Sequence, residues 1–279
     1  MKYIVFCVLV ALLCISAAAL ATKAVNRKRS LSRTARALVC ILFTSCFLLG
    51  AGSGYLAFYY RADPAVQQYL QDSGSVTVQQ TINGSLFDGP GKEKAMVFYP
   101  GAKVDSAAYA PMLSHLAARG IDVFLVRMPM HLAFLNPDAA AELMAAYDYP
   151  QWILAGHSLG GVMAARFAAS HPKNVQGLVL LAAYPTQDIS PSIKLLSIYG
   201  TNDAHMNKSA YAASKAHWPQ DARELVLQGG NHAQFGYYGM QKYDGVATLP
   251  APDQQQQTVD AIIESFGSGT SLPHMTLPD

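Results

Sequence analysis

A serine hydroxyl becomes a useful nucleophile only when a base can take its proton, so a catalytic serine needs an exposed Oγ and a histidine within reach. Gly156-His157-Ser158-Leu159-Gly160 meets the first need. Glycines two positions either side of the serine relieve the crowding where a strand folds sharply into a helix. The pentapeptide alone is a short pattern, and its setting gives it weight. It follows WILA at residues 152–155 and precedes GVMAA at residues 161–165, which read as strand, turn and helix. Ser158 is therefore expected to be the nucleophile of an acyl-transfer reaction.

In such a site the acid and the histidine follow the serine in that order, each beyond a later strand. Asp203 ends YGTND, directly after the apolar run LLSIY, and is the first choice for the carboxylate that orients the base; Asp188 is the second. His232, after LQGGN, is the candidate general base, taking the serine proton and returning it to the leaving group. His205 lies almost beside Asp203, His217 falls in a predicted helix and His274 in the tail, so none is placed as well. A developing oxyanion needs preorganised donors, each worth about 2.7–4 kcal/mol of barrier. The backbone N–H of Leu159 is one candidate, and that of Ala102 in YPGAK is the other. His157 and Gln234 are read as buried polar support and Asp244 as structural. No HExxH occurs, which argues against a zinc hydrolase.

The elements that must hold these groups alternate along the chain. Residues 76–82 alternate as a strand and run into Asn83-Gly84, a hairpin turn signal. Strands are predicted at 94–99, 121–127, 152–155, 175–183, 193–199 and 224–227. Helices are predicted at 106–119, 138–147, 161–170 and 254–266, with one more between the last two strands. This βα alternation predicts an α/β fold with a mostly parallel sheet, helices on both faces and reactive groups at the strand carboxyl ends. Nothing in the sequence is long enough to be a large cap domain, so an open site is expected.

The N-terminal region has another character. Residues 3–22 and 37–60 are each about 20 residues or slightly more of uncharged, apolar sequence, long enough to cross a bilayer as helices. Eight of the 20 Lys and Arg residues fall at or before Arg61 with no acid among them, so the remaining 12 face all 18 acids and the rest of the chain is formally −6. The basic excess thus belongs to the membrane region and does not argue for nucleic-acid binding. Six basic residues, from Lys23 to Arg36, separate the two apolar segments. The positive-inside rule puts that loop in the cytoplasm and both chain ends outside. A cleaved signal peptide ending near Ala19-Leu20-Ala21 is the alternative, and it reverses the orientation. Cys7, Cys14, Cys40 and Cys46 all lie in the apolar segments, leaving none for a disulfide or metal site beyond them. The expected organisation is a membrane hairpin of two transmembrane helices (1–61), a linker (62–73), a catalytic domain (74–266) and a flexible tail (267–279).

Taken together, these motifs resemble the α/β-hydrolase superfamily over roughly residues 76–266. YPGAKVDSAAYAPM, VRMP, GHSLGG, YGTND and GGNHAQFGYYG are similar, more narrowly, to membrane-anchored serine hydrolases related to the dienelactone hydrolase group. The chain departs from dienelactone hydrolases in carrying Ser158 where they use cysteine. The resemblance implies an acyl-enzyme mechanism without metal or organic cofactor. The expected activity is hydrolysis of a carboxylic ester or related acyl bond in a small-molecule or lipid-like substrate. Acyl transfer by the same triad, or a catalytically silent binding module at the membrane, are the alternatives.

Overall fold

The computed structural model describes residues 32–267, preceded by residues 15, 16, 19, 20 and 23. The chain divides into two units, Met1–Phe58 and Tyr59–Asp279. In the first, helix α1 (Arg33–Ala57) is capped by Ser32, whose Oγ accepts from the Ala35 N–H at 3.2 Å. Its stretch Arg33–Gly52 is long and apolar enough to cross a membrane, with a mean hydropathy of 1.8, and it is the one such helix among the described residues. Leu38, Ile41, Leu42, Leu48 and Leu49 stand exposed along it. A two-helix hairpin is therefore not what the described residues contain. Most of the first apolar segment, residues 3–22, lies outside them.

The second unit is built on an eight-stranded sheet in the order β1-β2-β4-β3-β5-β6-β7-β8. The Asn83-Gly84 turn joins β1 (Thr77–Thr81) to β2 (Gly84–Asp88), an antiparallel pair, and β2 runs antiparallel to β4 (Asp122–Val126). From β4 onward every pairing is parallel: β3 (Lys94–Tyr99), β5 (Gln151–His157), β6 (Gly177–Leu181), β7 (Lys194–Gly200) and β8 (Arg223–Leu227). The parallel strands are apolar almost throughout because helices cover both faces.

Side-chain alternation sorts the core into two layers. Met96 and Phe98 of β3 point to the face covered by α2 (Ala110–Ala118) and α6 (Ala251–Phe266), where Leu113, Leu116, Val259 and Ile262 meet them. Ala95, Val97 and Tyr99 point to the other face, packed by α3 (Ala139–Ala146) and α4 (Leu159–Ser170) through Leu143, Ala164 and Phe167. The short helix α5 (Lys208–Ser214) completes the set between β7 and β8.

Two local expectations need correction. The helix expected over 106–119 begins as a 3-10 turn, Ser106–Tyr109, capped by Asp105, and becomes α-helical only at Ala110, where Pro111 suits a first turn. The stretch 62–73 is not a plain linker. Asp63 caps a 3-10 helix at Pro64–Leu70, and Val66 within it is buried. Tail residues 268–279 lie outside the described residues.

Candidate active site

Ser158 stands between the end of β5 and the start of α4 with φ 53° and ψ −126°. A residue with a Cβ pays about 1–3 kcal/mol for such a backbone, so the surroundings must impose it. They do so through close approach. A Cβ on Gly156 would come within 2.6 Å of the backbone of Gly160 and Gly161, and one on Gly160 would strike the carbonyl oxygens of Tyr99 and Pro100. The Ser158 N–H is bonded to the Leu181 carbonyl at 2.9 Å, which ties the turn to the neighbouring strand β6. Lys103, Met130, His131 and Ala182 also have positive φ, and all follow β3, β4 or β6 at the same sheet edge. Backbone strain of this kind gathers at functional sites.

Asp203 and His232 leave the adjacent strands β7 and β8 and meet beyond that edge. His232 Nδ1 lies 2.8 Å from Asp203 Oδ2, and both side chains are buried. The other carboxylate oxygen, Oδ1, accepts from the N–H groups of His205 and Met206, each at 2.8 Å. Burial pulls the Asp203 carboxyl upward. The hydrogen bond and charge of His232, with the two backbone N–H groups, outweigh it and hold the group below its usual 3.8. A carboxylate fixed in this way presents Nδ1 of His232 as the N–H and leaves Nε2 as the basic nitrogen. The second-choice acid, Asp188, lies elsewhere, exposed and bonded to His217 at 2.6 Å.

Leu159, the other side of Ser158, opens α4, where the first N–H groups have no acceptor within the helix. Ala102 occupies the turn after β3. Among the described residues, no protein acceptor is bonded to either N–H.

Sequence reasoning missed Tyr109. Its fully buried hydroxyl accepts from the Gly101 N–H at 3.1 Å and lies 2.8 Å from His157 Nδ1. A bond donated by the tyrosine leaves His157 protonated on Nε2. The His157 ring in turn packs against His232, with centroids 4.5 Å apart. Burial first, and the charge of His232 second, hold the His157 imidazole well below its usual 6.5, so this ring stays neutral. Tyr109 thus connects the turn after β3 to the serine turn and, through His157, to His232. A lone tyrosine at the start of a helix carried no local signal of this. A cleft of about 390 Å³ is lined by Asp63, Gln234, Tyr237, Met240 and Asp244, and Ser158 does not line it.

The model of the alpha/beta hydrolase family matches residues 95–257, more than half of the chain. The chain belongs to the alpha/beta hydrolase family. It is 34% identical over 100 residues to a pimeloyl-(acyl-carrier protein) methyl ester esterase of Chromobacterium violaceum, covering 34% of this chain and 39% of that one. It is also 34% identical over 110 residues to a protein of Mycobacterium phage D29 bearing the name of a non-heme haloperoxidase, covering 36% and 40% of the two chains. The chain thus spans about 40% of the length of the curated relatives it matches. Among solved structures, the dienelactone hydrolase of Anabaena variabilis superposes with a TM-score of 0.52 at 15% identity, covering 69% of this chain and 98% of that one. At that identity the likeness concerns the fold.

Proposed function

We propose that this family member is a serine hydrolase that cleaves a carboxylic ester or related acyl bond. The observation that carries the proposal is the buried Asp203–His232 hydrogen bond at the sheet edge where Ser158 is held in a strained turn. In this mechanism His232 Nε2 takes the Ser158 proton as Oγ attacks the acyl carbon, and the ionised Asp203 stabilises the imidazolium. The N–H groups of Leu159 and Ala102 receive the oxyanion. Collapse of the tetrahedral intermediate passes the proton to the leaving alcohol and leaves an acyl-enzyme, which water cleaves by the same steps reversed. Exposed Met130, Phe134 and Leu135 follow β4, and Lys103 donates its N–H to the His131 carbonyl at 2.8 Å. This apolar surface beside the Ala102 turn supports an apolar acyl group.

Membrane attachment is part of the proposal. Helix α1 is the anchor, and the basic residues from Lys23 to Arg36 are cytoplasmic by the positive-inside rule, which puts the catalytic unit outside.

The test is labelling by a fluorophosphonate together with hydrolysis of p-nitrophenyl esters, comparing the intact protein with Ser158→Ala. Labelling and turnover are expected in the first and lost in the second. An intact, folded protein that does neither refutes the enzymatic proposal. Retention of the full chain in membranes after alkaline carbonate extraction, and release after deletion of residues 1–58, tests the anchor.

A further inference from the structure

The residues on both sides of Asp203 and on both sides of His232 bond to one short segment, Asp244-Gly245-Val246. The Asp244 carboxylate bridges the two loops directly. Its Oδ1 accepts from the Ala204 N–H at 3.2 Å and its Oδ2 from the Ala233 N–H at 2.9 Å. The other two neighbours donate through their side chains. Asn202 Nδ2 reaches the Val246 carbonyl at 2.8 Å, and Asn231 Nδ2 reaches the Gly245 carbonyl at 2.9 Å.

Two further features show how closely this strap is fitted. A Cβ on Gly245 would strike the Asn202 carbonyl oxygen, so only glycine lets the strap lie this close to the Asp203 loop. Tyr243, directly before Asp244, has φ 69° although its side chain is exposed. Its left-handed backbone is a strain that the bonds made by Asp244 must outweigh.

Beyond the ends of β7 and β8 the ladder between the strands ceases, and only a few turn bonds such as Asn202 N–H to the Gly230 carbonyl, at 2.9 Å, continue it. Asp203 keeps its bonds to His205 and Met206 wherever its loop moves, because those bonds lie within that loop. They do not fix its distance to His232. We propose that Asp244 is a positioning residue whose carboxylate clamps the Asp203 loop to the His232 loop, setting the separation across which those two side chains share their hydrogen bond. The proposal rests on Asp203 and His232 being the acid and base of the hydrolase.

The chemistry calls for a carboxylate. Both oxygens receive backbone N–H donors, including that of Gly245 at 2.8 Å to Oδ1. An asparagine supplies one acceptor and sets its own N–H₂ against the other donor.

The experiment uses Asp244→Asn in the full chain, with kcat and KM measured on a short p-nitrophenyl ester and amide exchange followed over residues 201–206 and 230–235. The expected result is a fall in kcat of about 10- to 100-fold at unchanged KM and unchanged folded fraction. Exchange is expected to quicken in both loops together. An unchanged kcat, a loss that merely follows the folded fraction, or quicker exchange in one loop alone overturns the clamp. Should Asp244→Asn not fold, Asn202→Ala removes one strap bond and keeps the carboxylate. It is expected to loosen both loops, and a response confined to residues 201–206 overturns the proposal. If the intact protein has no esterase activity, the hydrolase proposal fails, and the exchange result still decides whether the clamp exists.

Discussion

Tyr109 and His157 share a buried hydrogen bond of 2.8 Å, and the same tyrosine oxygen accepts from the Gly101 N–H. This places one hydroxyl between the turn that carries Ala102 and the turn that carries Ser158. Tyr109→Phe keeps the ring and strands two buried polar groups. The variant is expected to lose about 1–3 kcal/mol of stability in urea unfolding. Turnover of a p-nitrophenyl ester is expected to fall as well, because the Gly101 turn loses its anchor. Full stability and full turnover together would show the bond to be idle.

Asp203→Asn leaves a side chain of the same shape that favours the wrong His232 tautomer. A fall in kcat of about 10⁴-fold is expected by comparison with the corresponding serine protease variant. The carboxyl of Asp203 is depressed in the folded state, so its contribution to stability is present above the unfolded value, near 3.8, and is lost as pH falls through the lower folded value. Acid unfolding curves of the wild type and Asp203→Asn should therefore converge at low pH.

His157 gives a pH dependence of the same sign, but nearer neutrality. Its folded pKa lies well below 6.5, so under mild acid the unfolded chain binds a proton that the folded chain refuses. Stability is expected to fall as pH drops below about 6.5, by up to 1.36 kcal/mol per pH unit for one such group. His115, lowered by burial first and by Arg119 second, adds to the same slope. Urea midpoints between pH 7.5 and pH 5.5 measure it, and His157→Gln should flatten the curve.

Gly160→Ala puts a methyl group against two backbone carbonyls that cannot move aside like a flexible side chain. A loss of at least about 1–3 kcal/mol is expected from the forced shift. Labelling of Ser158 should fall more than the folded fraction, because the shift opens the serine turn itself.

Asp188→Asn separates the two acid candidates. The Asp188–His217 hydrogen bond is exposed and does not involve His232, and kcat and KM are expected to stay at their wild-type values. A large fall in kcat would return the acid assignment to Asp188.

Much of the fold was legible because its signals are local. Residues 95–99 are a short, continuous apolar run, which marks a strand buried on both faces without knowledge of what covers each. The Asn83-Gly84 hairpin and the strand-turn-helix around Ser158 are likewise written in neighbouring residues. The linker was misread because nothing in residues 62–73 announces that Val66 is buried under the domain. The 3-10 start of the helix at 106–119 was missed because Asp105 and Pro111 act at two successive starts.

By itself the sequence determined the alternation of strands and helices, the glycine-flanked turn at Ser158, and the order in which a carboxylate and a histidine follow it. Steric relief, side-chain period and chain order act over a few residues or along the chain, so they survive without coordinates. Only the tertiary structure decided that Asp203, rather than Asp188, meets His232, and that Tyr109 and Asp244 tie the loops together. Tyr109 and His157 are 48 residues apart, and Asp244 is 40 from Ala204. Hydrogen bonds act over about 3 Å, and chain separation carries no information about which distant groups a parallel sheet brings that close.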